Sequence, residues 1–131
     1  MSRFVLLATT AAKQAMDDSG LKVDLNPHRY GCIIGVGIGG LPDIETNAHI
    51  LKEKGERRIS PFFIPYAIPN MAAGYASIVH GLKGPVLCPT TACASGTHAI
   101  GEAFNAIRFG IVDAMLAGGA ESSISPLGIT S

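Results

Sequence analysis

The sequence predicts a layered α/β domain, because strand-like and helix-like segments alternate along the chain. The wholly apolar run at residues 31–37 has the character of a strand buried on both faces. Residues 4–19 carry apolar side chains at helical spacing, which predicts a helix with one buried stripe. A length of 131 residues suits one domain with a sizeable core and is too short for two ordinary ones.

The other elements follow in order along the chain. Further helices are predicted at residues 42–54, 70–79 and 94–109, and further strands at residues 86–88 and 112–119. Gly20 and Gly110 end two of the helices, and Asn70 is placed to cap a third. Residues 61–69 are rich in proline and aromatic side chains and predict an irregular loop.

Composition excludes several classes of function. Apolar residues make up 47% of the chain and charged residues 15%, which predicts a folded chain rather than a disordered one. Lys+Arg and Asp+Glu both number 10, so no net field attracts nucleic acid or an anionic membrane. No stretch approaches the roughly 20 apolar residues that span a bilayer. Three cysteines without a Cys-x-x-Cys pair argue against a disulfide scaffold or zinc site and indicate a reducing compartment.

The strongest chemical signal is the segment at residues 90–96, Thr-Thr-Ala-Cys-Ala-Ser-Gly. A predicted strand leads into it and a predicted helix leaves it, so Cys93 lies at a helix N-terminus. Free N–H groups and the helix dipole favour a thiolate there, and the Cys93 N–H is well placed to donate to an oxyanion. The small neighbours leave room for a substrate carbonyl. Cys93 is therefore either a nucleophile or an ordinary buried core cysteine.

Residues 84–101, Gly-Pro-Val-Leu-Cys-Pro-Thr-Thr-Ala-Cys-Ala-Ser-Gly-Thr-His-Ala-Ile-Gly, resemble the active-site segment of β-ketoacyl-[acyl-carrier-protein] synthases, and are closest to the type II elongating enzymes. Residues 35–40, 59–65 and 117–121 agree with the same family in the same order. The resemblance implies a thiolase-like fold, in which a mixed sheet is flanked by helices, and a nucleophilic role for Cys93.

The resemblance also implies fatty-acid chain elongation without a cofactor or metal. The family's cysteine takes an acyl group from an acyl-carrier-protein thioester, and the carbanion formed by decarboxylation of malonyl-carrier protein then attacks the acyl-cysteine. The resemblance further implies a homodimer paired through the strand at residues 85–89.

Other family positions match residues of this chain. Ile38 and Phe63 correspond to positions that line the acyl pocket, with Phe63 reaching across from the partner subunit, although both could be plain core side chains. Ala92, Ser123 and Gly128 match further pocket positions. A basic pair that helps to dock the acidic carrier protein is matched by residues 57–58, Arg57 and Arg58, whose alternative role is a solvated face beside Lys52, Lys54 and Glu56.

Several parts of the family pattern are absent from these residues. Two later histidines, the lysine between them and a Gly-Phe-Gly-Gly loop are not found, so residues 1–131 are expected to be a partial N-terminal ketosynthase domain that is inactive alone. The family's first strand is also missing, which predicts a gap between the strands at residues 31–37 and 112–118 and a marginal or aggregating chain. An ordered chain is then expected only within a larger context or with a rearranged sheet. The expected location is cytoplasmic, or mitochondrial or plastid if a transit peptide lies upstream.

Three alternatives remain. The Gly35-x-Gly37-x-x-Gly40 spacing resembles a dinucleotide-binding fingerprint, but residues 57–61 stand where a second strand ending in an acid is required. A second alternative is a non-catalytic piece that dimerises or binds carrier protein. A third is a thiolase relative that uses coenzyme A thioesters. His98 lies five residues after Cys93 and is expected to face away from it on the helix.

Overall fold

A computed structural model describes all 131 residues and contains three strands and six α-helices. The strands are β1 (Tyr30–Gly35), β2 (Val86–Leu87) and β3 (Ala114–Gly119). The helices are α1 (Arg3–Ser19), α2 (Leu41–Lys54), α3 (Phe63–Ala67), α4 (Met71–His80), α5 (Ser95–Arg108) and α6 (Pro126–Thr130). The predicted α/β class is confirmed, with the boundaries of most elements within one or two residues of those predicted.

The three strands form one parallel sheet in the order β2-β1-β3. Six residue pairs, from Tyr30–Ala114 to Gly35–Gly119, join β1 to β3, and two pairs join β1 to β2. Because β1 is central, its residues from Gly31 to Gly35 are all buried. The apolar run therefore forms the doubly covered strand that its composition predicts.

The predicted gap in the sheet is wrong. β1 and β3 are direct neighbours along the whole length of both strands. Their backbone N–H and C=O groups pair with each other, so no unsatisfied groups remain between them. The unpaired strand edges are instead the outer sides of β2 and β3. The instability expected from a gap therefore has no structural basis between β1 and β3.

Helices cover both faces of the sheet. Successive side chains of β1 point to opposite faces, so each face has its own apolar core. Cys32 and Ile34 point to the larger core, which α1 and α4 supply mainly with alanines and Phe4. Ile33 points to the other face and packs on Ala99 and Ala103 of α5. The two cores place α1 and α4 on one side of the sheet and α5 on the other.

Arg29 ties together the beginnings of β1 and β3. Its Nε and one terminal nitrogen donate to Asp113 Oδ1 at 3.1 and 2.6 Å. The other terminal nitrogen donates to the carbonyl oxygens of Gly110 and Ile111, both at 2.9 Å. The planar guanidinium can satisfy all these acceptors at once, which a lysine could not. It thereby fixes the turn between α5 and β3 to the start of β1.

The helix ends and the segment at residues 61–69 agree in part with the local predictions. Gly20 and Gly110 have positive φ angles of 63° and 69°, as expected at helix ends. The loop predicted at residues 61–69 contains the short helix α3, because Pro65 falls in its first turn, where a missing N–H costs nothing. Asn70 makes no side-chain capping hydrogen bond, since its backbone is already helical.

Apolar side chains remain exposed on the outer face of α5. Ile100 is 59% exposed and Phe104 is 61% exposed, although the same helix buries Ala99 and Ala103 on its inner face. Aggregation of the isolated chain therefore stays a prediction. It now rests on this exposed apolar surface and no longer on a gap in the sheet. No helix has both the length and the apolar character needed to cross a membrane.

Candidate functional site

A cleft of about 550 Å³ opens at the carboxyl ends of β1 and β3. The strand ends contribute Gly35 and Gly119, the turn before α5 contributes Ala92 and Cys93, and the loop after β1 contributes Ile38. The carboxyl edge of a parallel sheet is where loops and helix N-termini converge on ligands. The strand order thus brings one thiol, one branched apolar side chain and a helix N-terminus into a single cleft.

The turn that carries Cys93 is held by Ser95. Residues Ala92–Ala94 form a short 3₁₀ turn that leads directly into α5. The buried Ser95 hydroxyl accepts from the Thr91 N–H at 2.8 Å and donates to the Ala92 carbonyl at 2.7 Å. Ala92 has a φ of 50°, the one positive value outside glycine. A non-glycine residue in this region marks a strained turn, such as those found at functional sites.

Glycines allow the N-terminus of α5 to lie directly against the strand ends. A Cβ atom on Gly35 would overlap the backbone carbonyl of Ser95. A Cβ atom on Gly119 would lie 2.9 Å from the Gly96 Cα, closer than real Cβ contacts allow. Close packing at these two places fixes the height of α5 above the sheet. It also fixes the position of Cys93, which lies two residues before the first residue of the helix.

The three cysteines occupy different environments. Cys93 is exposed at the cleft. Cys32 is fully buried in β1, and this burial raises the pKa of its thiol to about 12. Cys88 follows β2 and is half-buried; burial raises its pKa, although hydrogen bonds with Thr90 and the Val36 backbone oppose the shift. The alternative that Cys93 is a buried core cysteine is therefore wrong.

Glu121 belongs to the cleft, although sequence reasoning gave it no role. Its Oε2 accepts from the backbone N–H groups of Ile38 at 2.6 Å and Gly39 at 3.3 Å. Its Oε1 accepts from the Ser122 N–H at 2.7 Å and the Ser123 hydroxyl at 2.9 Å. The sequence signal that could have identified Glu121 is an acidic residue directly after a strand of small residues, in a chain whose central strand ends in a glycine-rich loop.

These hydrogen bonds control the ionisation of Glu121. Partial burial on its own would raise the pKa of the carboxyl group. Donation from Ile38, Ser122, Ser123 and Gly39 outweighs burial, so the net pKa lies below the ordinary value. The cleft therefore carries a fixed negative charge. The N–H groups that a dinucleotide pyrophosphate would require at the glycine-rich loop are bonded to this carboxylate, which argues against that alternative.

The family profile described as Beta-ketoacyl synthase, N-terminal domain, matches residues 1–131. The chain belongs to this family. It is 50% identical over 130 residues to 3-oxoacyl-[acyl-carrier-protein] synthase 2 of Vibrio cholerae, and 51% identical over 127 residues to the protein of the same name from Coxiella burnetii. These alignments cover 98% and 96% of this chain, and 31% of each relative.

Solved structures of β-ketoacyl synthases have the same fold. A ketosynthase solved in complex with its type II PKS acyl-carrier protein superposes with a TM-score of 0.87 at 30% identity, over 98% of this chain and 37% of that chain. A β-ketoacyl synthase from Burkholderia phymatum gives a TM-score of 0.83 at 30% identity, over 99% of this chain and 32% of that chain. The chain therefore has a thiolase-like fold, and it spans about a third of the length of its relatives.

The structure brings together some of the residues that the family resemblance assigns to a site. Ile38 and Ala92 line the cleft beside Cys93. Phe63 begins α3 and does not line the cleft. Ser123 reaches the cleft only through its hydrogen bond to Glu121, and Gly128 packs on the Ser123 carbonyl, where a Cβ would overlap it.

Basic and imidazole side chains lie outside the cleft. Arg57 and Arg58 are exposed on the 3₁₀ turn Glu56–Arg58 and form no ion pair within the chain.

None of the histidines lines the cleft. His98 Nδ1 lies 2.7 Å from Thr91 Oγ1, so it bonds to the turn before Cys93. No three His, Cys, Asp or Glu side chains are grouped closely enough to hold a metal ion.

Proposed function

We propose that Cys93 is the acyl-accepting nucleophile of a condensing enzyme that elongates fatty acids, and that this chain is the part that carries it. The observation that supports this most directly is the place of Cys93, the exposed thiol just before α5 in the cleft at the carboxyl ends of β1 and β3. The small side chains around it let an acyl carbonyl approach closely. Relatives named 3-oxoacyl-[acyl-carrier-protein] synthase 2 support the reaction class.

The proposed first step transfers an acyl group to sulfur. The Cys93 thiolate attacks the thioester carbonyl of an acyl-carrier protein, and the Cys93 backbone N–H donates to the oxyanion that forms. The carbon–sulfur bond to the carrier then breaks, the carrier thiol takes a proton, and acyl-Cys93 remains.

The proposed second step forms a carbon–carbon bond. Malonyl-carrier protein loses carbon dioxide, and the resulting carbanion attacks the acyl-Cys93 carbonyl. The thiolate leaves, and a β-ketoacyl-carrier protein is released. No histidine or lysine lines the cleft, so we propose that the groups assisting decarboxylation come from outside these 131 residues and that the chain alone does not condense.

The acyl chain is proposed to extend from Cys93 along Ile38 and Ala92, which share its cleft. Phe63 is proposed to complete this pocket from a partner subunit, since it lies away from the cleft of its own chain. Ser123 and Gly128 are proposed as outer pocket positions. Ser123 bonds to Glu121, and Gly128 packs on the Ser123 carbonyl. These contacts favour an indirect effect on the shape of the pocket over direct contact with the acyl chain.

Two surfaces are proposed to bind partners. The exposed, unpaired guanidinium groups of Arg57 and Arg58 suit an acidic carrier protein. A solved ketosynthase complex with an acyl-carrier protein supports that class of partner. The strand at residues 85–89 is proposed as the homodimer contact, because β2 is an edge strand whose Val86 and Leu87 are exposed. The same edge also favours the alternative of a non-catalytic dimerisation or carrier-binding piece.

A segment exchange distinguishes the condensing function from the non-catalytic dimerisation or carrier-binding alternative. The matching third of the Vibrio cholerae relative is replaced by this chain, and β-ketoacyl product is measured from acyl- and malonyl-carrier protein. We expect product from the folded chimera and from its Cys88→Ala control, and loss of product from its Cys93→Ala variant. A Cys93→Ala chimera that retains full condensing activity would contradict the proposal. Folded chimeras that bind carrier protein without forming product would favour the non-catalytic alternative.

A further inference from the structure

Glu121 connects two loops that are far apart in sequence. It follows β3, whereas Ile38 and Gly39 follow β1, and its Oε2 accepts from both of their backbone N–H groups. Its other oxygen is held by Ser122 and Ser123 on its own loop. The carboxylate therefore acts as a bridge across the mouth of the cleft.

The chemistry of this bridge requires a carboxylate. All four partners donate, and an ionised carboxylate offers only acceptors, so every hydrogen bond is satisfied. A glutamine of the same shape would have to direct its NH₂ group at donors on one side of the bridge. An aspartate is shorter by one methylene and could not reach both loops. The site thus selects both the charge and the length of the side chain.

We propose that Glu121 is the positioning residue that sets acyl-chain selectivity, because it holds the Ile38 loop at a fixed distance from Cys93. The inference rests on the proposed acyl transfer to Cys93. Ile38 is 54% exposed and lines the cleft, and its backbone N–H is bonded to Glu121. The far end of the same loop is held separately, by the Gly40 N–H that donates to the Ala67 carbonyl at 2.9 Å, so Glu121 restrains the Ile38 end. Gly37 allows this approach, since a Cβ there would lie 3.2 Å from Glu121 Oε2. Glu121 acts through Ile38 and forms no bond to the substrate.

Amide hydrogen exchange of the full chain tests the positioning directly. We expect the Ile38 and Gly39 N–H groups to be protected in the wild type and to exchange about tenfold faster in Glu121→Gln, because bonds to a charged acceptor are lost. Glu102→Gln, an exposed glutamate on α5, is the matched control and should leave both rates unchanged. Unprotected wild-type amides, or equal rates in Glu121→Gln, would overturn the inference.

Selectivity is measured on the same proteins with the acetyl and decanoyl thioesters of N-acetylcysteamine. Intact mass reports the acylation rate of Cys93 for each probe. We expect the wild type and Glu102→Gln to discriminate between the probes, and Glu121→Gln to move the rate ratio about tenfold toward one. A ratio unchanged by Glu121→Gln, or a wild-type ratio of one, would overturn the selectivity role. Absence of wild-type acylation by either probe would instead count against the proposed function, while the exchange rates still decide the positioning.

Discussion

Gly35, the last residue of β1, lies against the backbone carbonyl of Ser95, the first residue of α5, with no room for a Cβ atom between them. The helix that begins just after Cys93 therefore packs on the central strand at its own N-terminus. Its N–H groups and dipole consequently lie at the end of the sheet, at the mouth of the cleft. The position of the proposed nucleophile depends on this contact.

Gly35→Ala should therefore destabilise the chain by about 1–3 kcal/mol, the usual effect of overpacking a close contact. Gly101→Ala is the matched control, because Gly101 lies in the same helix with nothing within 4 Å of the added Cβ. That control should stabilise the chain by up to about 1 kcal/mol, since alanine favours helix more than glycine does. Urea unfolding monitored by circular dichroism measures both effects. Equal changes in the two variants would contradict the packing account.

Reactivity should distinguish the three thiols. Iodoacetamide at neutral pH should label Cys93 first, Cys88 more slowly and Cys32 last, because Cys93 is exposed, whereas burial raises the pKa of both other thiols. Peptide mass spectrometry of quenched samples gives the three rates. In urea the three rates should converge, which controls for intrinsic reactivity. Faster labelling of Cys88 or Cys32 in the folded chain would oppose the assignment.

Acid should destabilise the fold partly through Glu121. Its folded pKa lies below the ordinary value of 4.5, so its stabilisation is complete above that pH and is lost as pH falls through the folded pKa. Glu121→Gln should therefore lose stability at neutral pH and show a flatter dependence below about pH 4.5. Urea midpoints from neutral to acidic pH measure this, with Glu102→Gln as control.

Asp113 contributes to the same acid titration but at another place. Its hydrogen bond from Arg29 lowers the pKa of the carboxyl group, and this contribution remains in Glu121→Gln. The variant should therefore retain part of the acid sensitivity, at pH values below the ordinary Asp pKa of 3.8. Parallel pH profiles of stability for the wild type and Glu121→Gln would contradict a lowered pKa of Glu121 in the folded chain.

The apolar patterns were sufficient to predict the α/β class and most elements. The strand at residues 31–37 and the helix at residues 4–19 are specified locally, by burial on two faces and by one apolar stripe. Cys93 was also placed correctly at the start of a helix, because the strand, the turn and the helix are contiguous in sequence. Its role as a nucleophile stays a prediction.

The features that sequence did not predict depend on contacts between distant segments. The direct pairing of β1 with β3 joins residues about 84 positions apart, and no local pattern specifies that two strands are neighbours. Glu121 was overlooked for the same reason, since its partners Ile38 and Gly39 lie on another loop. Helix α3 was missed because its composition resembles that of a loop.

The proposed function depends first on the acceptance of an acyl group by Cys93. The most direct measurement incubates the folded chain with decanoyl-acyl-carrier protein and locates the acyl adduct by peptide mass spectrometry. We expect a decanoyl group on Cys93, absent from Cys93→Ala and retained in Cys88→Ala. A decanoyl group on Cys88 or Cys32, or no acylated thiol in the folded chain, would contradict it.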